Sequence, residues 1–222
     1  MNIRFPYGKT HLSYDFENVK VLTSSIEEYD PQMTEQALVD AAMAAPEGGE
    51  TLCELAKGKK KIVLIASDHT RPVPSRLIVP PMLREIREGN PDADITILIS
   101  TGCHRETTQS ELVAKFGEEI VRNETIVVHD CDDTENLVNI GTLPSGGQCL
   151  INRLAVEADL LVAEGFIEPH FFAGFSGAGF LAAAFSLSAD SFNRLIWLSV
   201  SSMSSEPGRA SRAFSAYFNA SS

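Results

Sequence analysis

Basic residues are scarce in this 222-residue chain. Only 18 Lys and Arg stand against 30 Asp and Glu, a formal charge of −12. Nucleic acid and anionic membrane surfaces are bound by basic faces, so neither is an expected partner. Cysteine is sparse too, and Cys53, Cys103, Cys131 and Cys149 form no C-x-x-C pair and no metal-ligand spacing. They read as reduced thiols of a cytoplasmic protein. The opening Met1-Asn-Ile-Arg-Phe-Pro-Tyr-Gly8 lacks the apolar stretch of a signal peptide. No early segment approaches the ~18–20 uninterrupted apolar residues of a membrane helix. G-x-G-x-x-G and Walker patterns are missing as well. What remains is the composition of a soluble globular protein, long enough to bury a real core. A cytoplasmic enzyme or binding domain is the expectation.

Three continuous apolar runs set the architecture: Lys61–Ala66, Asp94–Ser100 and Asp159–Glu164. Such runs mark strands buried on both faces of a parallel sheet. A further strand is expected at Glu124–His129 and another at Leu137–Leu143. Helical patterns fall between them at Arg76–Glu88, Gln109–Arg122 and Leu150–Ala158. The first of these is broken near its start by Pro80-Pro81, and the second opens on a Thr108/Glu111 capping box. Upstream, short strands flank a Tyr7-Gly8-Lys9 turn and run on to Leu22. Helices follow at 34–44, with Thr34 or Asp30 as cap, and at Thr51–Lys57. This alternation predicts an α/β fold: a parallel-rich doubly wound sheet with flanking helices and an irregular C-terminal tail. In such sheets ligands bind beyond the carboxyl ends of the strands.

Three polar clusters sit at those ends. Ser67-Asp-His-Thr-Arg-Pro-Val-Pro-Ser75 follows the first run, and its prolines stiffen the turn that holds Arg71. A fixed guanidinium suits a carboxylate or phosphate, and Asp68 can orient it or an imidazole. Thr101-Gly-Cys-His-Arg105 follows the second run and brings His104 to the sheet rim. Glu168-Pro-His-Phe-Phe-Ala-Gly-Phe-Ser-Gly177 follows the last and adds His170. Two imidazoles with an Asp and an Arg suit acid–base work on a small anion. They suit a zinc site equally well, with His104, His170 and a carboxylate as ligands. The glycines from Gly174 to Gly179 form a weak phosphate-loop pattern. His129 with Asp130, Asp132 and Asp133 makes an acidic loop, read as a solvated turn in preference to a cation site.

Taken together, these three motifs and the Phe5-Pro-Tyr-Gly-Lys9 opening resemble the nickel-dependent lactate racemase family. The resemblance covers residues 1–177, most of that family's N-terminal domain; members run to about twice this length, with a second domain closing over the site. It implies racemisation of a small 2-hydroxy acid such as lactate by reversible hydride transfer to a nickel-pincer nucleotide derived from nicotinic acid. By position, His104 and His170 correspond to the two bases, and Asp68 and Arg71 to the pair that orients them and the bound groups. Thr70, Gly174, Ser176 and Gly177 correspond to cofactor-binding positions. Cofactor-maturation proteins are implied as partners.

The departures begin at residue 178. Where the family continues Gly-Phe-Ser-Gly-Gly-Arg-Lys, this chain reads Gly174-Phe-Ser-Gly-Ala-Gly-Phe180. The tethering lysine falls on Phe180, which forms no covalent link to the cofactor. No histidine follows His170 to match the family's nickel ligand, so no metal ligand is assigned. Residues 178–222 hold twelve serines and neither lysine nor histidine. A shifted reading frame after Gly177 accounts for all of this, and 178–222 is expected to be a divergent tail. Little or no activity is expected of the chain alone, along with poor solubility where an apolar sheet face stays uncovered. Two other classes stay open at this point: a non-catalytic nucleotide-binding module, and a zinc hydrolase built on His104 and His170.

Overall fold

The computed structural model describes residues 1–20, 32–46, 49–102, 104–143 and 146–165, with the backbone of strands at 169–170, 174–175 and 195–199. Two compact units result, one holding Met1–Asp30 and the other Pro31–Ser202. In the first, β1 (Asn2–Tyr7) and β2 (Thr10–Asp15) form an antiparallel hairpin about the expected turn. Gly8 takes φ +57° there, a left-handed conformation that favours glycine. Ile3, Phe5 and Tyr7 stand opposite Tyr14, Leu12 and Thr10. Phe16 packs edge-on against Phe5 and Tyr14. The continuation of this strand pattern to Leu22 lies outside the described residues.

The second unit begins with α1 (Glu35–Ala44), capped by the Thr34 hydroxyl, and α2 (Leu52–Ala56), opened by a Thr51/Glu54 capping box. Next come β3 (Lys61–Ser67), α3 (Ser75–Gly89) and β4 (Asp94–Ser100). α3 runs unbroken through Pro80 and Pro81. Each proline removes one intrahelical donor, but Ile78, Val79, Met82 and Ile86 bury the face that holds the helix on the sheet. The helix expected at 109–122 is two, α4 (Gln109–Phe116) and α5 (Glu118–Asn123). Gly117 separates them at φ +90°, which no right-handed helix accommodates. The Thr108/Glu111 capping box is present at the start of α4.

After β5 (Thr125–Val128), β6 (Leu137–Thr142) pairs antiparallel with β7 (Gln148–Asn152) in a separate hairpin. The helical reading of 150–158 is therefore corrected: Leu150–Asn152 is strand, and α6 covers only Arg153–Val156. Leu150–Asn152 pairs with Leu137–Asn139, and this ladder bonding overrides the local helical pattern. The Asn152 side chain then accepts from the Leu154 N–H and starts the short helix. β8 (Leu160–Gly165) is followed by the two-residue strands β9 (Pro169–His170) and β10 (Gly174–Phe175). Finally, β11 (Leu195–Ser199) pairs parallel with β8.

The main sheet is all parallel, in the order β11-β8-β3-β4-β5. From β3 the chain steps to β4 and β5 on one side, then returns to β8 on the other. The strand order thus reverses between β3 and β8, where a parallel sheet opens a crevice at its carboxyl edge. Alternate residues of β3 serve two layers. Ile62, Leu64 and Ala66 pack with residues of α1 to α5, while Val63 and Ile65 pack with Ala155, Ala158 and Ala163. Full burial of each large apolar side chain stabilises by about 1.5–3 kcal/mol, so this two-sided core anchors the strand ends.

Candidate active site

β3 and β4 run in register from Lys61–Asp94 to Ser67–Ser100, so they end level. Their following loops therefore emerge side by side. Asp68, directly after β3, is 2% exposed. Its Oδ1 accepts the Thr70 N–H at 3.0 Å and the Thr70 hydroxyl at 2.6 Å. Its Oδ2 lies 2.5 Å from Nδ1 of His104. Burial alone would raise this carboxyl. The bonds from Thr70 and His104 outweigh it and hold Asp68 below the usual carboxylate range.

His104 is brought to Asp68 by a tight turn. Gly102 sits at φ +58°, the His104 N–H donates to the Thr101 carbonyl at 3.0 Å, and the Thr101 hydroxyl donates to the His129 carbonyl at 2.5 Å. With Nδ1–H donated to a carboxylate, the neutral ring carries its lone pair on Nε2. The ring is about half exposed, so that nitrogen can meet a ligand. Arg71 is exposed on the same loop. Its N–H donates to the Asp68 carbonyl, and among the described residues its guanidinium has no hydrogen-bond partner. Asp68 thus orients the imidazole and not the guanidinium.

Beneath this loop lies a layer that motif reading misses. Glu164, near the end of β8, is 2% exposed and accepts from Ser67 and Ser75. Burial raises its carboxyl, against the opposing pull of Lys115. Lys115 of α4 donates to the Ser67 hydroxyl at 3.1 Å and to the Arg71 carbonyl at 3.3 Å. Burial pushes its ammonium down, against the attraction of Glu164 and Asp68. One sequence signal could have found Glu164: a lone acid near the carboxyl end of an otherwise apolar buried strand.

Other polar residues of the motifs are engaged elsewhere. Arg105 forks onto Glu111 at 2.6 and 2.9 Å, and the His69 ring meets the Thr107 hydroxyl at 3.1 Å. His129 Nδ1 lies 3.1 Å from the Asn152 amide nitrogen. Asp130, Cys131 and Asp132 bring ligand atoms within 4.8 Å of one another on an exposed turn. Asp133 instead accepts from Asn136 at 2.6 Å. A groove between α3 and α5 contains Arg76 and Arg87, but both are committed. Arg76 donates to the Val113 and Ala114 carbonyls, and Arg87 to Glu124.

His170 stands opposite Gly174 in the β9–β10 pair. The side chain of His170, and Glu168, Ser176, Gly177 and Phe180 entirely, lie outside the described residues. Asp68, Thr70 and His104 are therefore the predicted site residues whose side chains are brought together, and Arg71 shares the loop through its backbone.

Comparison with known proteins bears on this edge of the sheet. The lactate racemase N-terminal domain family matches residues 7–179. The lactate racemase of Thermoanaerobacterium thermosaccharolyticum is 56% identical over 179 residues, covering 79% of this chain and 42% of that protein. The lactate racemase of Lactiplantibacillus plantarum is 51% identical over 178 residues, with the same coverage. The chain thus spans less than half the length of these curated relatives. The apoprotein structure of the Thermoanaerobacterium enzyme superposes with a TM-score of 0.67 at 55% identity, over 79% of this chain and 41% of that one. A Thermotoga maritima protein superposes at 0.51 with 26% identity, over 68% and 37%. Neither a separate nucleotide-binding module nor a zinc hydrolase is favoured by these relatives. Among the described residues no helix is long and apolar enough to cross a membrane.

Proposed function

The chain belongs to the lactate racemase family through its N-terminal domain, and on that premise we propose that it carries the acid–base half of a lactate racemase site. The observation that supports this most is the Asp68–His104 pair across the carboxyl ends of β3 and β4. Nε2 of His104 takes the hydroxyl proton of a 2-hydroxy acid, and Asp68 holds the ring with that lone pair outward. His170 plays the same part for the opposite enantiomer. Arg71, exposed and without a partner among the described residues, binds a carboxylate or phosphate.

An anionic nicotinic-acid-derived nickel-pincer nucleotide fits the β3 loop in one respect, an exposed Arg71 guanidinium on the loop that also carries Thr70. Thr70, Gly174, Ser176 and Gly177 are the residues that would hold it. Its covalent attachment does not fit, because residue 180 is Phe. When bound, that cofactor supplies a reversible acceptor for the hydrogen on C2 of the substrate. The same reading places the protein in the cytoplasm, with the proteins that mature the cofactor as partners.

The test is a graft. Residues 7–179 replace the matching segment of the Thermoanaerobacterium lactate racemase, whose own chain supplies the rest. Racemisation of lactate is expected to persist, and His104→Ala or His170→Ala in the graft to lower kcat by about 10²–10⁴. Undiminished turnover in both variants would overturn the assignment. The 222-residue chain by itself, given the cofactor, is expected not to racemise lactate; steady D-lactate formation from L-lactate would refute that.

A further inference from the structure

The base His104 is held by Asp68, and Asp68 is held by its loop, so the anchorage of that loop decides where the pair stands. Glu164 Oε1 accepts the Ser67 N–H at 3.2 Å, the Ser67 hydroxyl at 3.2 Å and the Ser75 hydroxyl at 3.0 Å; Oε2 lies 3.1 Å from the same Ser75 oxygen. Ser67 is the last residue of β3, and Ser75 is the first of α3. One buried carboxylate therefore ties together both ends of the loop that carries Asp68, Thr70 and Arg71. Lys115 grips the same loop from α4, at the Ser67 hydroxyl and the Arg71 carbonyl. The Ser67 hydroxyl accepts from the ammonium and donates to the carboxylate, so the polarity runs one way from Lys115 to Glu164.

Buried ionisable groups are weak evidence for stability, since well-packed apolar residues often replace them without loss. Here such a replacement would leave three donors from the two loop ends without an acceptor. We propose that Glu164 and Lys115 are positioning residues of the acid–base pair, acting on His104 through the Ser67–Ser75 loop and Asp68. The inference gains its purpose from the racemase reading, but it concerns the ring of His104 and is tested there.

The experiment is nitrogen-15 NMR of histidine-labelled 222-residue protein, reading the ratio of Nδ1–H to Nε2–H tautomers of neutral His104. The Nδ1–H form is expected to dominate in the unaltered protein. Glu164→Ala is expected to lower the ratio at least about twofold, the smaller end of coupling within one network. Glu164→Gln keeps an acceptor for Ser67 and Ser75 and is expected to restore it. Ile86→Val loosens the core of α3 away from the loop and is expected to leave it unchanged. An unchanged ratio in folded Glu164→Ala would overturn the proposal, as would an equal change in Ile86→Val. Should Glu164→Ala fail to fold, Ser75→Ala and Lys115→Met decide: a lowered ratio in either supports the proposal, and no change in both overturns it. A failed racemase reading would appear in the graft kinetics while leaving the tautomer ratio intact.

Discussion

Asp159 and Glu164 stand at opposite ends of β8, and each accepts backbone N–H groups at the matching end of β3. Asp159 takes those of Lys60 and Lys61 at 3.0 and 2.9 Å, at the solvent edge where the strands begin. Glu164 takes that of Ser67 where they end. The same kind of contact lowers both carboxyls, but only at Asp159 does it prevail. The two N–H groups hold the Asp159 carboxyl below its usual range, whereas burial lifts that of Glu164. All five buried polar side chains among the described residues, Asp68, Ser75, Thr101, Thr107 and Glu164, lie towards the carboxyl edge. One edge of the sheet is thus a solvated cap, and the other stores polar groups out of water, as sites that preorganise charge do.

The largest expected effect is on stability. Glu164→Ala leaves the Ser67 and Ser75 donors without their buried acceptor and is expected to cost about 1–3 kcal/mol in urea unfolding. A loss near zero would mean that solvent reaches this edge and that the contrast is false. Next is the response to pH. The folded Glu164 pKa is raised, so its contribution is full below the unfolded glutamate value of about 4.3 and is lost as pH rises through the folded value. Asp68 and Asp159 have lowered pKa values, so theirs is present above about 3.9 and lost as pH falls through the folded values. Melting curves of Glu164→Gln and Asp159→Asn against the unaltered protein should therefore diverge in opposite pH directions. A common direction would break the comparison. Smallest is Asp159→Ala, expected to shift Tm only slightly near neutral pH, because water can replace the lost acceptor.

Much of the fold was legible because continuous apolar runs can be buried only in a two-faced sheet. β3, β4 and β8 fall within a residue of Lys61–Ala66, Asp94–Ser100 and Asp159–Glu164. The misses have local causes. Gly117 breaks a helical pattern with a backbone angle that periodicity cannot express, and Leu150–Asn152 is strand because β6 lies beside it. Of the site, the motifs gave Asp68, Thr70, Arg71 and His104, residue types whose chemistry is visible in isolation. Lys115 carried no such mark, since an amphipathic helix commonly bears a lysine, and Glu164 carried only its place as a lone acid at the end of an apolar strand.

By itself the sequence determined the class of fold, the strand ends where chemistry gathers, and the presence of two imidazoles with an acid and a guanidinium. These follow from residue type and short-range pattern. The tertiary structure decided that Asp68 serves His104 and, among the described residues, leaves the Arg71 guanidinium uncommitted. It also decided that Glu164 reaches Ser67 across 97 residues and Lys115 reaches it across 48. Such partnerships depend on which strands become neighbours, and strand order comes from packing the whole chain around one core.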